Sequence, residues 1–536
     1  MTPSNFYNTT NKPFKSSGLR QVAGDSQLTV LRADYSKGMN NRVEDSEIAE
    51  GQAVLLQNID ISVPGKSKKR KGSVLIADDK GANTISKLHN HVVQSDTDLL
   101  YHYETTNLRK WTGTGNWADV KTDFTSSTSC NIISAKESGV TPDDVIIVSN
   151  GTDNMFRIDT SDNEQDLGDT NTSPPISRVM TWYENRIWVL LNDLAYYSDA
   201  YSADYSGAFD RTTNNYRVAV GKERGILSTR DLGMVFMGEE AIWALRPSTT
   251  PVATDQAEPI ITNMGVVSEQ AFCQGGDDIY FFSDDGFRSL KRTVQDKMQI
   301  GRSVPISYAL KDQFEKINWA LKEQISMEYF DNKIFISVPI TGGEYETWVY
   351  YPAQEAFTII TGWNTRTYEV YRVSGQERLY YGANSDTVVY RGWYGYTDEG
   401  TTTSNGTAAN MIETGKKEDM GNPLINKNGG EIEITCESTG DFDLEITASF
   451  DESAFKTMGT LNILGTGITF PVTFPVTFVD DNLSRGKFHL DLATGTDTLG
   501  DWRTIQISIA HNATNDDDIV ILKRSIVTFP EEYQNE

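Results

Sequence analysis

Cysteine is scarce in this 536-residue chain: Cys130, Cys273 and Cys436 stand far apart and form no CxxC pair. That argues against a disulfide-stapled scaffold and reads as free thiols folded in a reducing compartment. Long apolar runs are missing as well. There is no run of about 18 apolar residues, so no helical membrane span is expected. The opening stretch MTPSNFYNTTNKPFKSSGLRQ is polar and lacks the apolar core of a secretory signal. Positive charge is also low, with 48 Lys+Arg against 75 Asp+Glu and a formal net charge of -27. Coating DNA needs a clustered excess of Lys and Arg, so that role is disfavoured; a wall past which DNA slides is not.

What the chain does have is aromatic residues, 10% of the total with 24 Tyr and 10 Trp, as suits strand-rich or interface-rich proteins. Its length exceeds one compact core, so two or three domains are expected. A hairpin unit recurs: a polar lead-in, a short apolar run, a polar turn, and a second short strand. The apolar runs begin at Leu99, Val145, Ile187, Met234, Ile279, Ile334 and Leu379, at intervals of about 42 to 55 residues. MVFMGEEAIWAL lies over IYFFSDDGFRSL almost position for position. This spacing is that of four-stranded propeller blades, which bury their faces only against neighbours.

The fold class expected is therefore all-β: a β-propeller of about six to eight blades with an additional C-terminal β-sandwich and an inserted helix. Residues 1-32 read as an extended N-terminal arm, ordered only against a neighbouring subunit or an adaptor. Residues 33-404 read as the propeller and 405-536 as the sandwich, with strand sharing between sandwich and ring left open. The helix is expected near 303-325, starting at Pro305 with Ser303 as cap. Its stripe is Leu310, Phe314, Ile317 and Leu321. ITFPVTFPVTF, with Pro471 and Pro475, reads as an edge strand or an extended loop.

Candidate chemistry is thin. His89 and His91 share one strand face and form half of a metal site, but no third ligand follows at a fitting spacing. SDNEQDLGD, Ser161 to Asp169, is rich in carboxylates but lacks the order of a calcium loop. Ser283 opens an SDDGF turn similar to an Asp-box, yet Gly286 follows Asp285 directly and the pattern fails. The single dense basic run, Lys66 to Lys71, suggests contact with an acidic neighbour or nucleic acid, against the plainer reading of a solvated turn. MTWYENRIW (Met180 to Trp188) and YYSDAYSADYSGAF (Tyr196 to Phe209) are rich enough in aromatics to anchor an interface or to fill blade cores.

Three segments carry a family resemblance through their order along the chain. ADYSKGMNNRVEDSEIAEGQAVLLQNIDISVPGKSKKRKG resembles the opening of bacteriophage tail proteins, in which a short acidic helix precedes QNIDI. NMGVVSEQAFCQGGDDIYFFSDDGFRSL and MIETGKKEDMGNPLINKNGGEIEI are similar to segments of the tail hub, or nozzle, proteins of short-tailed phages. The resemblance implies a structural virion protein of the tail, folded in the host cytoplasm before assembly, without catalysis. It implies a homo-oligomeric, hexameric ring below the portal-adaptor, with tail fibres or spikes and a needle nearby. Double-stranded DNA would pass through the lumen without specific binding, and an acidic lumen would repel its phosphates. No catalytic residue, cofactor or metal is expected. The alternative is a propeller glycan hydrolase or a carbohydrate-binding virion protein.

Overall fold

The computed structural model describes residues 29-530, apart from 464-482, 490-501, 512-518 and short stretches at 33, 78-82, 95-96, 139-143, 203-204, 230-231, 248-250, 252-254, 302, 385-387, 400-405, 422, 425 and 439-441. Most of the N-terminal arm and the TFPV repeat with Pro471 and Pro475 lie outside the described residues.

The chain is an all-β propeller of seven blades. Each apolar run of the repeat is the second strand of a blade: Leu99–Glu104, Asp144–Ser149, Arg186–Leu191, Gly233–Gly238, Asp278–Ser283, Lys333–Pro339 and Gln376–Ala383. These strands are buried on both faces, which is why they read as continuous apolar runs rather than alternating ones. Tight two-residue turns connect the hairpins. Glu184–Asn185, Asn192–Asp193 and Asp331–Asn332 all take positive φ, the left-handed turn that matches strand twist and suits Asn and Asp.

The first four blades have four strands each. The fifth has three, and helix Leu290–Ile300 follows its last strand. The seventh is completed from the other end of the ring: Ser73–Leu75 pairs antiparallel with Val389–Gly392. This joins the two ends of the propeller and closes the circle. Gly72 precedes that closing strand, and a Cβ there would stand 1.9 Å from the Thr397 carbonyl oxygen, so the close approach needs glycine.

The sixth blade does not stop at its fourth strand. Ala356–Ile360 pairs with Leu55–Gln57, which leads through Ile412–Thr414, Ile505–His511 and Phe442–Phe450 to Lys456–Ile463. Nine strands thus form one sheet spanning propeller and sandwich. The second sandwich sheet holds Ile59–Asp60, Ser67–Lys69, Ile519–Pro530, Lys427–Ser438 and Leu483–His489, with Thr29–Arg32 paired to Ile519–Pro530. Ile432, Ile434, Leu444, Ile446 and Ile509 fill the space between the sheets. The pair Arg524–Glu413, both buried, ties one sheet to the other, with an Arg524 Nη2 to Glu413 Oε2 distance of 2.5 Å.

Three expectations need correction. The segment from residue 55 to 69, expected within the ring, contributes strands to the two sandwich sheets, one of them continuous with the sixth blade, because its backbone finds pairing partners there. No single helix spans 303-325. That segment is a 3-10 turn at Ile306–Ala309, a five-residue helix at Lys311–Glu315 and a 3-10 run at Trp319–Gln324. Its stripe is broken where Ile317 bridges to Ile340 as in a strand. Ser303 caps nothing; its hydroxyl donates to Asp296 Oδ2 at 3.0 Å. The true helix begins at Ser289, whose hydroxyl oxygen accepts from the Arg292 amide, and ends at Gly301 with φ 72°. The short acidic helix that the resemblance implies up to QNIDI is absent: residues 43-50 form turns, and QNIDI itself lies in the strands Leu55–Gln57 and Ile59–Asp60.

Candidate functional site

The first strands of the blades surround the propeller axis, and the chain itself links several of them. Just before the fifth blade, Ser268, Glu269 and Gln270 cross inward. Gln270 Nε2 donates to the Ser86 carbonyl of the first blade at 2.8 Å, and Thr367 of the seventh blade donates to Gln270 Oε1 at 2.6 Å. The Gln270 carbonyl accepts from Met327 of the sixth blade at 2.8 Å. Glu269 pairs with Arg178, which leads into the third blade, at 2.7 Å. One short segment therefore joins five of the seven blades. The preceding Gly265 allows this path, since a Cβ there would lie 1.8 Å from the Gly238 carbonyl oxygen.

The channel wall also carries ionisable groups. Glu328 on the sixth blade and Glu369 on the seventh are half-buried on strands that pack against each other. Enclosure by neighbouring strands raises both carboxyl pKa values above the ordinary range. For Glu328 the proximity of Glu369 adds to this, while Lys87 of the first blade opposes it in both. Burial, then Glu328, pushes the Cys273 thiol well up, so it stays protonated.

His89 and His91 lie on the first strand of the first blade, and both meet Ser134 of the second. The distances are 2.9 Å from His89 Nε2 and 2.8 Å from His91 Nδ1 to the same hydroxyl. One hydroxyl hydrogen serves one imidazole, so the other ring must donate. Burial lowers both histidine pKa values, keeping them neutral. The pair joins two blades. Among the described residues no group of three or more His, Cys, Asp or Glu is placed to hold a metal ion. His102 is also buried and neutral, stacked on Trp117 at 4.3 Å, with its pKa lowered to about 3 by burial.

The basic run turns inward. Lys69 and Arg70 are fully buried, so this is neither a solvated turn nor a free cationic patch. Arg70 makes two bonds to Asp398, of 2.7 and 2.6 Å, and its Nε donates to Asn58 Oδ1 at 2.8 Å. Trp363 donates to the same Asp398 at 2.8 Å, and Arg70 also donates to the Thr361 carbonyl. Asn58, at φ 57°, reaches Thr361 and the Asn410 carbonyl. The cluster locks together the segment leading into the ring, the end of the sixth blade and the segment after the seventh. Lys66, at the start of the run, makes an exposed pair, 3.7 Å from Glu437. Sequence reasoning gave Arg70 to the surface because its partner stands 328 positions away.

The remaining candidates are structural. In the 161-169 turn, Asp159 and Asp166 accept backbone amides and Asp169 pairs with Arg211, so these carboxylates shape a loop. Ser283 donates to Asp285 and Gly286, and Arg288 clasps Asp285, which fixes the SDDGF turn. Met180, Trp188, Tyr205 and Phe209 are buried in blade cores, whereas Tyr201 is exposed. The three cysteines are free and buried. No helix among the described residues is long and apolar enough to cross a membrane.

No family model matches the chain, and no curated protein does. Among solved structures it is similar to BBS1N in complex with ARL6DN, at 12% identity and TM-score 0.35, covering 63% of this chain and 99% of that one. It is similar to the WD40 β-propeller domain of Doa1, at 8% identity and TM-score 0.38, covering 60% and 97%. It is also similar to a glycoside hydrolase family 43 arabinoxylan arabinofuranohydrolase from Bacillus subtilis, at 10% identity and TM-score 0.23, covering 84% and 96%.

Proposed function

We propose that the chain is a structural subunit of a short-tailed phage tail, a nozzle or hub ring that continues the DNA channel below the portal-adaptor. The observation that carries this reading is the nine-stranded sheet running without a break from the sixth blade into the C-terminal sandwich. A subunit that transmits load needs its domains joined stiffly, and a shared sheet joins them by backbone hydrogen bonds rather than by a linker. The buried Arg70–Asp398 lock adds to that stiffness. Gln270 bonds the fifth blade's entry to the first and seventh blades, and DNA would pass through a lumen formed between copies, not through the blades. The formal charge of -27 suits such a wall, because acidic surfaces repel phosphate. A ring of identical copies uses two different faces of each subunit.

Imaging tests this directly. Purified protein and virion tails should show a closed ring on the tail axis, and monomers without any ring on tails would sink the reading. A second reading, a glycan hydrolase, draws support from the neighbouring carboxyls Glu328 and Glu369 beside Lys87. It requires glycan cleavage that disappears in Glu369→Gln with the fold intact.

A further inference from the structure

The outer half of the seventh blade carries two arginines that the fold leaves without an acid. Arg391 on Val389–Gly392 stands opposite Tyr380 of Gln376–Ala383, and Arg378 lies two residues before Tyr380 on the same strand. Residues two apart share a face, and diagonal neighbours across a strand pair lie roughly 7–8 Å apart, within reach of long side chains. Both guanidiniums thus leave one face of the blade beside the Tyr380 hydroxyl. Burial raises the pKa of that hydroxyl, and the Arg378 and Arg391 charges oppose the rise. The Arg391 pKa is lowered, first by burial and then by Arg378. Among the described residues neither arginine pairs with a carboxylate. Glu369 shares the cross-strand row but stands beyond Tyr380, and Glu377, on the opposite face, lies 4.0 Å from Arg372. Elsewhere in this acidic chain Arg70, Arg157, Arg224 and Arg524 each clasp an acid.

We propose that Arg378, Arg391 and Tyr380 hold a phosphate group, free or carried as a monoester. Two like charges side by side repel each other unless an anion joins them. Their combined charge matches the about −1.5 to −2 of a phosphate near neutral pH, whereas a single carboxylate leaves one guanidinium unmatched. The planar fork of each arginine fits two phosphate oxygens, and the tyrosine hydroxyl adds a donor beside them. Arg378 Nε is buried and has no hydrogen-bond partner, so a donor is already withdrawn from water and waiting for an acceptor. The Arg391 guanidinium is held 3.9 Å from the centre of the Tyr394 ring, and Tyr394 is 47% exposed, which leaves this end of the site open to a ligand. Behind the pair lies the apolar cluster of Leu88, Trp111 and Tyr371 between the first and seventh blades, which excludes water and strengthens a bound charge. All of these groups belong to one chain, so the site does not depend on a ring.

The test is calorimetric titration of the full chain with inorganic phosphate and, in parallel, with phenyl phosphate, at ionic strength held constant with chloride. One saturable site is expected, with a dissociation constant on the order of millimolar or tighter. Tighter binding of phenyl phosphate identifies a monoester as the ligand, with its ring against Tyr394; equal or weaker binding identifies the free anion. Arg378→Gln and Arg391→Gln should each weaken binding about tenfold or more. Arg391→Lys, which keeps the charge but loses the fork, should weaken it less. Arg372→Gln, on the opposite face, should leave it unchanged. Melting temperature supplies a second readout: phosphate should raise it over chloride of equal ionic strength in the parent chain and not in Arg378→Gln. Absence of saturable binding, or binding that both glutamine variants retain, would overturn the proposal. So would sedimentation in which either variant dissociates self-associated chains while the monomer binds no phosphate, because the arginines would then meet carboxylates of a neighbouring copy.

Discussion

The fifth and sixth blades are neighbours built from the same hairpin unit, yet they end in opposite ways. The fifth stops at three strands, and a helix capped by Ser289 takes over at its flank. The sixth gains five further strands and becomes the spine of the sandwich. Their ion pairs differ in the same sense. Arg70–Asp398, at the sixth, is buried on both sides, with side-chain exposures of 0% and 7%. Arg288–Asp285, at the fifth, buries the arginine at 1% but leaves the aspartate 55% exposed. The repeat specifies a blade's inner hairpin; what the outer edge meets decides whether the blade becomes a junction or a surface.

The largest expected effect is at the junction. Arg70→Ala leaves Asp398 buried without its cation and should cost about 3–5 kcal/mol in urea unfolding. Arg288→Ala should cost distinctly less, because water solvates Asp285 once the pair is gone. Equal losses would remove the contrast between the two blades. Next, Gly72→Ala should cost about 1–3 kcal/mol through overpacking against Thr397 and should loosen ring closure. Faster amide exchange across Val389–Gly392 is the readout.

A smaller effect belongs to the fifth blade alone. Ser289→Ala removes the helix cap and should cost about 1 kcal/mol. Exchange should rise within residues 290-300 while the sandwich strands stay unchanged. If the sandwich responds as well, the fifth blade is coupled to the junction more tightly than its strand pairing indicates.

The smallest effect concerns the channel. The carboxyl pKa of Glu328 is raised on folding, so the folded state holds a proton that the unfolded state releases. This contribution is fully present below the ordinary value of 4.5 and is lost as pH rises through the higher folded value. Glu328→Gln should therefore raise the melting temperature at alkaline pH by about 2 °C and change it little in acid. His102 works in the reverse direction. Its lowered pKa makes stability fall as pH drops from 6.5 towards about 3.

Much of the fold was legible in the residues. Runs such as Val145–Val148 and Ile334–Val338 are apolar because both faces of a blade strand are covered, and that made the seven second strands visible. The helix at Leu290–Ile300 was missed although Ser289 and Gly301 stand at its ends, because its short stripe Leu290, Val294, Met298 is weaker than the broader one at Leu310 to Leu321. The latter stripe is real as a set of packing residues: Leu310 and Ile317 are buried. Its periodicity misled because bridging to Ile340 outweighed local helix preference in a segment too short to be stable alone. In the channel, nothing local marks Gln270, whose two side-chain partners stand 184 and 97 positions away.

The sequence by itself determined the strand content, the repeat and the acidic character, because these depend on residue type and on spacing within a few tens of positions. Only the tertiary structure decided that the ring holds seven blades, that Ser73–Leu75 closes it, and that the sixth blade runs on into the sandwich. It also decided that Lys69 and Arg70, inside the most basic run of the chain, are buried. The physical reason is the same in each case. A strand edge and a charged side chain are satisfied by whichever partner the fold brings within hydrogen-bond reach, and those partners here lie hundreds of residues away along the chain.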